Sequence, residues 1–138
     1  LQGDWSSDVC SSDLFSFVLK DGNTSLTEKA SLDHNGNFQA TGTITSTSDI
    51  RIKENLEIIE NPIEKVKKIN GYTFNKKGEI PRLVGLIAQE VEEVLPEAVS
   101  ENQDGIKSLA YGNMVALLVE TVKEQQKQID ELRQMIQK

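Results

Sequence analysis

The chain carries a single cysteine, Cys10, and a single histidine, His34, in 138 residues. One thiol cannot form an intrachain disulfide, and one thiol with one imidazole excludes zinc and haem sites of the usual composition. Aromatic residues supply only 5% and hydrophobic residues 37% of the sequence. That is a thin stock for a solitary core, so an oligomer that shares its core is favoured. No apolar run is long enough to span a bilayer and no signal peptide is visible, so a membrane is not an expected partner. Positive charge is scarce too, at a net charge of −7. Lys65, Lys67 and Lys68 cluster, but Glu57, Glu60 and Glu64 interleave with them, which describes a solvated helix face. Nucleic acid is therefore not an expected partner, and neither a metal nor a cofactor is expected.

What is present divides unequally. Residues 1–14 include the Ser/Asp-rich run Asp4 to Leu14, which resembles a translated sequencing adaptor; it reads as a processing scar or a disordered leader. Residues 15–47 are polar and rich in Gly, Thr and Ser, the end of a β-rich stem. Phe15, Phe17 and Leu19 alternate as in a strand, and Asp21-Gly22-Asn23 reads as a turn. Asp33-His34-Asn35-Gly36-Asn37 is a hairpin signal, with further strand expected at Phe38, Ala40 and Thr43-Ile44-Thr45. His34 in that turn reads as solvated. The oxygen-rich turn lacks the rest of an EF-hand loop, so calcium is not expected.

From residue 48 onward the chain is charged and periodic. A short helix is expected over 54–59 and another from Pro62, with Asn61 as its N-cap and Ile63, Val66 and Ile69 inward. Tyr72-Thr73-Phe74 reads as a strand and Leu83 to Ile87 as a second, buried one. A helix over 88–95 points Val91, Val94 and Leu95 inward and stops at Pro96. A long final helix over about 111–138 carries Val115, Leu118, Val122, Gln125, Ile129, Leu132 and Ile136 at alternating spacings of three and four, the register of a coiled coil. Val or Ile at every a position, with Leu at two of three d positions, leans towards a parallel dimer; Gln125 at d weakens that lean. A helix packed only on its own domain is the alternative. The fold class is α+β: a short β-strand stem, then a small mixed domain over 48–138 ending in the coiled-coil helix.

The seam between stem and domain is Thr47-Ser48-Asp49-Ile50-Arg51-Ile52-Lys53-Glu54-Asn55. A serine hydroxyl is a weak nucleophile until a neighbouring base takes its proton. No histidine follows Ser48, so within 48–138 a serine–histidine triad is excluded, and lysine is the remaining strong base nearby. A lysine, with an ordinary pKa of about 10.4, works as a base only where burial or like charge makes it neutral near pH 7–8. Arg51 would favour that by repulsion, and Asp49 or Glu54 would oppose it if close. A serine five residues before a lysine is not specific by itself, and a polar linker is its bland reading.

The order of blocks is specific. Ser48-Asp49-Ile50-Arg51-Ile52-Lys53-Glu54-Asn55, then Gly71-Tyr72-Thr73-Phe74, then Val84-Gly85-Leu86-Ile87-Ala88-Gln89-Glu90-Val91, Leu95-Pro96 and Tyr111 before the final helix resemble the endosialidase-type intramolecular chaperone domain of phage tail spikes and fibres. The same module resembles the auto-processing region of a myelin-regulatory type of membrane-bound transcription factor. The resemblance implies trimerisation, then self-cleavage before the serine of the Ser-Asp-x-x-x-Lys motif. It makes Ser48 the nucleophile, Lys53 the general base and Thr47–Ser48 the scissile bond of a single-turnover serine autoprotease with no external substrate. Asp49, Arg51, Gln89 and Glu90 are candidate accessory residues; helix capping or packing accounts equally well for Gln89 and Glu90. The implied partners are two further copies of the chain and the upstream fibre or spike stem. The implied location is a virion tail, assembled in the bacterial cytoplasm, with the chaperone released after cleavage. A non-cleaving structural trimerisation tip of a fibre or adhesin is the alternative.

Overall fold

A computed structural model of the chain describes residues 14–20, 26–33 and 36–137. The turn expected at Asp21-Gly22-Asn23, His34, and nearly all of the adaptor-like segment lie outside the described residues. The chain forms two compact units, residues 1–54 and 55–138.

The first unit holds a three-stranded antiparallel sheet of β1 (Leu14–Lys20), β2 (Leu26–Asp33) and β3 (Phe38–Ala40), in the order β1-β2-β3. Phe17 faces Ala30 and Val18 faces Glu28, so the β1–β2 register steps by one residue there, the mark of a bulge. The β2–β3 turn is tied by Asp33, whose carboxylate accepts from the backbone and side-chain amides of Asn37 at 2.8 Å each. Gly36 there has φ +80°, a left-handed conformation that costs a glycine nothing. Thr43-Ile44-Thr45 is not a strand. Alternation alone does not make one, because a strand needs a ladder partner.

The second unit is a set of small pieces around one core. It contains α1 (Pro62–Val66), β4 (Tyr72–Phe74), β5 (Leu83–Gly85), α2 (Ala88–Glu92), β6 (Val99–Glu101), β7 (Lys107–Leu109) and α3 (Met114–Ile136). β4 pairs with β5, and β6 with β7, as separate antiparallel hairpins. Val91, Val94, Leu95, Ala98, Met114 and Leu117 form the core, with Ile59, Val66, Ile69, Leu86, Val99 and Leu109 packed at its edge. Among residues 30–33 and 36–137, every buried apolar side chain belongs to this unit. The architecture is α+β with a long final helix, as the sequence pattern predicts.

Two local expectations are corrected and a third is refined. Residues 54–59 are not helical: Asn55 has φ 51° and Asn61 φ 50°, and these left-handed residues bracket an irregular segment. Asn61 does stand at the N-cap of α1 and Pro62 opens the helix, but Asn61 makes no side-chain capping bond. The strand expected over 83–87 ends at Gly85 and is not buried, with Val84 79% exposed.

Helix α3 runs for 23 residues, about 34 Å at 1.5 Å per residue. Met114, Leu117 and Thr121 are its buried residues, set at helical spacing and packed on the rest of the unit, including α1. Val115, Leu118, Val122, Gln125, Ile129, Leu132 and Ile136 are all exposed.

Candidate functional site

The seam residues fold into one tight turn. Residues Ile50–Ile52 form a single 3-10 turn between two extended residues, Asp49 (φ −70°, ψ 138°) and Lys53 (φ −116°, ψ 140°). Ile52 N–H donates to Asp49 C=O at 3.2 Å and Lys53 N–H to Ile50 C=O at 3.1 Å. The reversal sets the side chains flanking it on one side. Lys53 Nζ donates to Ser48 Oγ at 2.7 Å, with both residues exposed. Thr47, like Ser48, is exposed.

Asp49 and Arg51 are joined to each other. Asp49 Oδ1 accepts from Arg51 N–H and Nε at 2.9 Å each, and Oδ2 accepts from Nη2 at 2.7 Å. The guanidinium first, then the backbone amide, holds the Asp49 carboxyl below its ordinary range, and the carboxylate raises the pKa of Arg51. The two charges are spent on one another. Among the described residues Lys53 makes no ion pair with a carboxylate.

Gln89 and Glu90 belong to the second unit and do different things. Glu90 is a clasp: it accepts from the Tyr72 hydroxyl at 2.6 Å and from Asn70 N–H at 2.9 Å. The Tyr72 bond, then the Asn70 amide, lowers the Glu90 pKa, and the same Tyr72–Glu90 bond raises that of Tyr72. Helix α2 is thereby tied to the start of β4. Gln89 is exposed, and lines a groove of about 520 Å³ with Tyr72, Phe74, Ile87, Lys107 and Tyr111 among others.

Two further features tie this unit together. The Tyr111 hydroxyl accepts from Leu86 N–H at 3.0 Å and lies against Gly85, where a Cβ would collide with it. A glycine inside a strand is the signal for such a close approach. Lys107 donates to Glu92 and Glu101 at 2.7 Å each, and those bonds, Glu101 first, raise its pKa. Glu101 faces Lys107 directly across the β6–β7 hairpin, an opposite-charge cross-strand pair, whereas Glu92 lies fifteen residues away, beyond any local spacing rule. Among the described residues no acidic, histidine or cysteine cluster could hold a metal ion, and no helix is long and apolar enough to cross a membrane.

Comparison with known proteins adds the context. Residues 48–100 match the family model described as chaperone of endosialidase, and the match begins at Ser48. The long tail fibre protein Gp37 of Enterobacteria phage K3 is 44% identical over 94 residues, covering 62% of this chain and 8% of that protein. Its counterpart from Salmonella phage S16 is 38% identical over 101 residues, 65% of this chain and 14% of that protein. The Gp37 of Enterobacteria phage Ox2 is 38% identical over 109 residues, 72% of this chain and 42% of that protein. The chain thus spans less than half the length of each of these relatives. The motif order and these matches support a chaperone-type domain of the phage tail-fibre kind, with residues 48–100 similar to the chaperone-of-endosialidase family.

Proposed function

We propose that this chain is a self-cleaving intramolecular chaperone that trimerises and folds a phage tail fibre or spike, then leaves it by autoproteolysis between Thr47 and Ser48. The observation that carries the reading is the 2.7 Å contact between Lys53 Nζ and Ser48 Oγ, at the first residue of the matched family segment.

The chemistry balances with these residues alone and one water. Ser48 Oγ attacks the carbonyl carbon of Thr47 while its proton passes to a neutral Lys53 amine. The C–N bond to Ser48 then breaks, Lys53 returns the proton to the departing α-amine, and Thr47 is left as an ester on Ser48 Oγ. Water, with Lys53 again as base, hydrolyses the ester to a Thr47 carboxylate and a free serine. In the single chain Lys53 donates to the hydroxyl, the reverse of the polarity the attack requires. Neighbouring copies that cover the exposed turn would exclude water and favour a neutral amine. The exposed apolar stripe of α3 is the surface by which those copies gather.

A one-turnover reaction suits fibre assembly. Registering extended chains with non-local contacts is entropically slow. A tie at one end raises their effective concentration, and cutting it afterwards makes dissociation hard to reverse. A structural tip that clamps without cutting would use the same exposed stripe.

Denaturing electrophoresis of freshly expressed protein separates the two. Processing yields fragments 1–47 and 48–138. Ser48→Ala and Lys53→Met should each leave a folded, full-length oligomer, and Lys53→Arg should be inactive because guanidinium stays protonated. Normal processing by Lys53→Met would remove the lysine from the mechanism.

A further inference from the structure

The Ser48–Lys53 contact is not a consequence of sequence proximity. Five residues of extended chain would separate the two Cα atoms by about 16 Å, more than serine and lysine side chains reach together. The reversal rests entirely on Ile50–Ile52, and a single 3-10 turn has poor hydrogen-bond geometry of its own. Apolar packing does not hold it either, since Ile50 and Ile52 are each 64% exposed. What remains is Asp49. Its Oδ1 caps the turn through Arg51 N–H, and the same carboxylate grips the Arg51 guanidinium through Nε and Nη2.

We infer that Asp49 is a positioning residue: its carboxylate, steadied by the Arg51 guanidinium, caps through Arg51 N–H the turn that brings Lys53 Nζ onto Ser48 Oγ. The two side chains bond to each other, and among the described residues neither hydrogen-bonds Ser48 or Lys53. Arg51 binds both oxygens of Asp49, so that this carboxylate is engaged within the turn. The functional consequence rests on the proposed processing by Ser48 and Lys53; the control of the turn by Asp49 does not.

The test compares cleavage time courses of the full chain with Asp49→Ala, Asp49→Asn, Arg51→Ala and the double exchange Asp49→Arg/Arg51→Asp. Asp49→Ala should slow cleavage about tenfold, the scale of one lost cap, with thermal unfolding of the 55–138 unit unchanged. Asp49→Asn keeps a capping oxygen and should recover most of the rate. The double exchange remakes the ion pair without the cap and should stay slow. The same changes in a Ser48→Ala background read the turn directly, through the NOE between the residue-48 β-protons and the Lys53 ε-protons. That NOE should vanish with Asp49→Ala and persist with Asp49→Asn. A normal rate, or an unchanged NOE, in Asp49→Ala overturns the inference. If the unsubstituted chain does not cleave, the processing reading fails by itself, and the NOE alone decides whether Asp49 holds the turn.

Discussion

Leu117 and Leu118 are adjacent in sequence and chemically identical, yet one is 0% exposed and the other 51%. Successive helical residues sit about 100° apart around the axis, enough to separate two stripes on α3. The inner stripe of Met114, Leu117 and Thr121 completes the core of the second unit. The outer stripe runs from Val115 to Ile136 and is exposed along its length. From Val122 to Gln137 only Glu124 is less than exposed. An apolar seam of that length, left uncovered, is what an assembly surface presents before assembly. One helix therefore carries two stripes: its first two turns complete the core of the domain, and under the proposed function its outer seam gathers copies.

The strongest way to break that division is to charge the outer stripe. Ile129→Asp places a carboxylate in the middle of the seam, and burying it unpaired between chains costs several kcal/mol. Because Ile129 is 44% exposed in the single chain, the second unit should still fold. Sedimentation should show a monomer, and under the proposed coupling the same sample should no longer cleave at Ser48, more than seventy residues away. Efficient cleavage by a demonstrated monomer would sink the coupling and leave Ser48 and Lys53 an ordinary intrachain pair.

A finer cut uses the two leucines. Leu117→Ala removes a fully buried side chain and should destabilise the second unit by about 2–5 kcal/mol, read as a lower urea midpoint of the monomer. Leu118→Ala should change the monomer by no more than about 0.5 kcal/mol while weakening self-association. Equal effects of the two on monomer stability would erase the distinction between the stripes.

How much of this was legible in the sequence depends on the range of each interaction. Helices α2 and α3 show in periodicity, because burial on one face recurs every three or four residues. The inner stripe was missed: Met114 and Leu117 continue too briefly to compete with the longer outer pattern. The Ser48–Lys53 contact was not legible from spacing, and only the family motif singled it out. The Asp49–Arg51 fork escaped because charges two apart face each other only after the turn forms. At 54–59 a helix was expected where Asn55 and Asn61 instead take left-handed backbone. Leu83–Ile87 looked buried by composition, but a two-stranded hairpin has no second layer. Glu90 was singled out without its job, since Asn70 and Tyr72 lie twenty and eighteen residues away.

That clasp offers the mildest probe, because it strains the fold that the inner stripe completes and leaves the outer stripe alone. The Glu90 carboxyl has its pKa lowered from the ordinary value of 4.5 by Tyr72 and Asn70. Its contribution is therefore full above about pH 4.5 and is lost as pH falls through the lowered value. Tyr72 has its pKa raised from 10.0 by the same bond, so its contribution is full below about pH 10 and is lost as pH rises through the raised value. The clasp should thus hold across a broad plateau and weaken at both ends. The measurement is the urea midpoint of a monomeric Ile129→Asp chain against pH. Glu90→Gln should flatten both limbs, since neither bond to a carboxylate survives, while Tyr72→Phe should remove the alkaline limb and keep part of the acid one through Asn70. An alkaline limb that persists in Tyr72→Phe would show that another group, and not this clasp, titrates there.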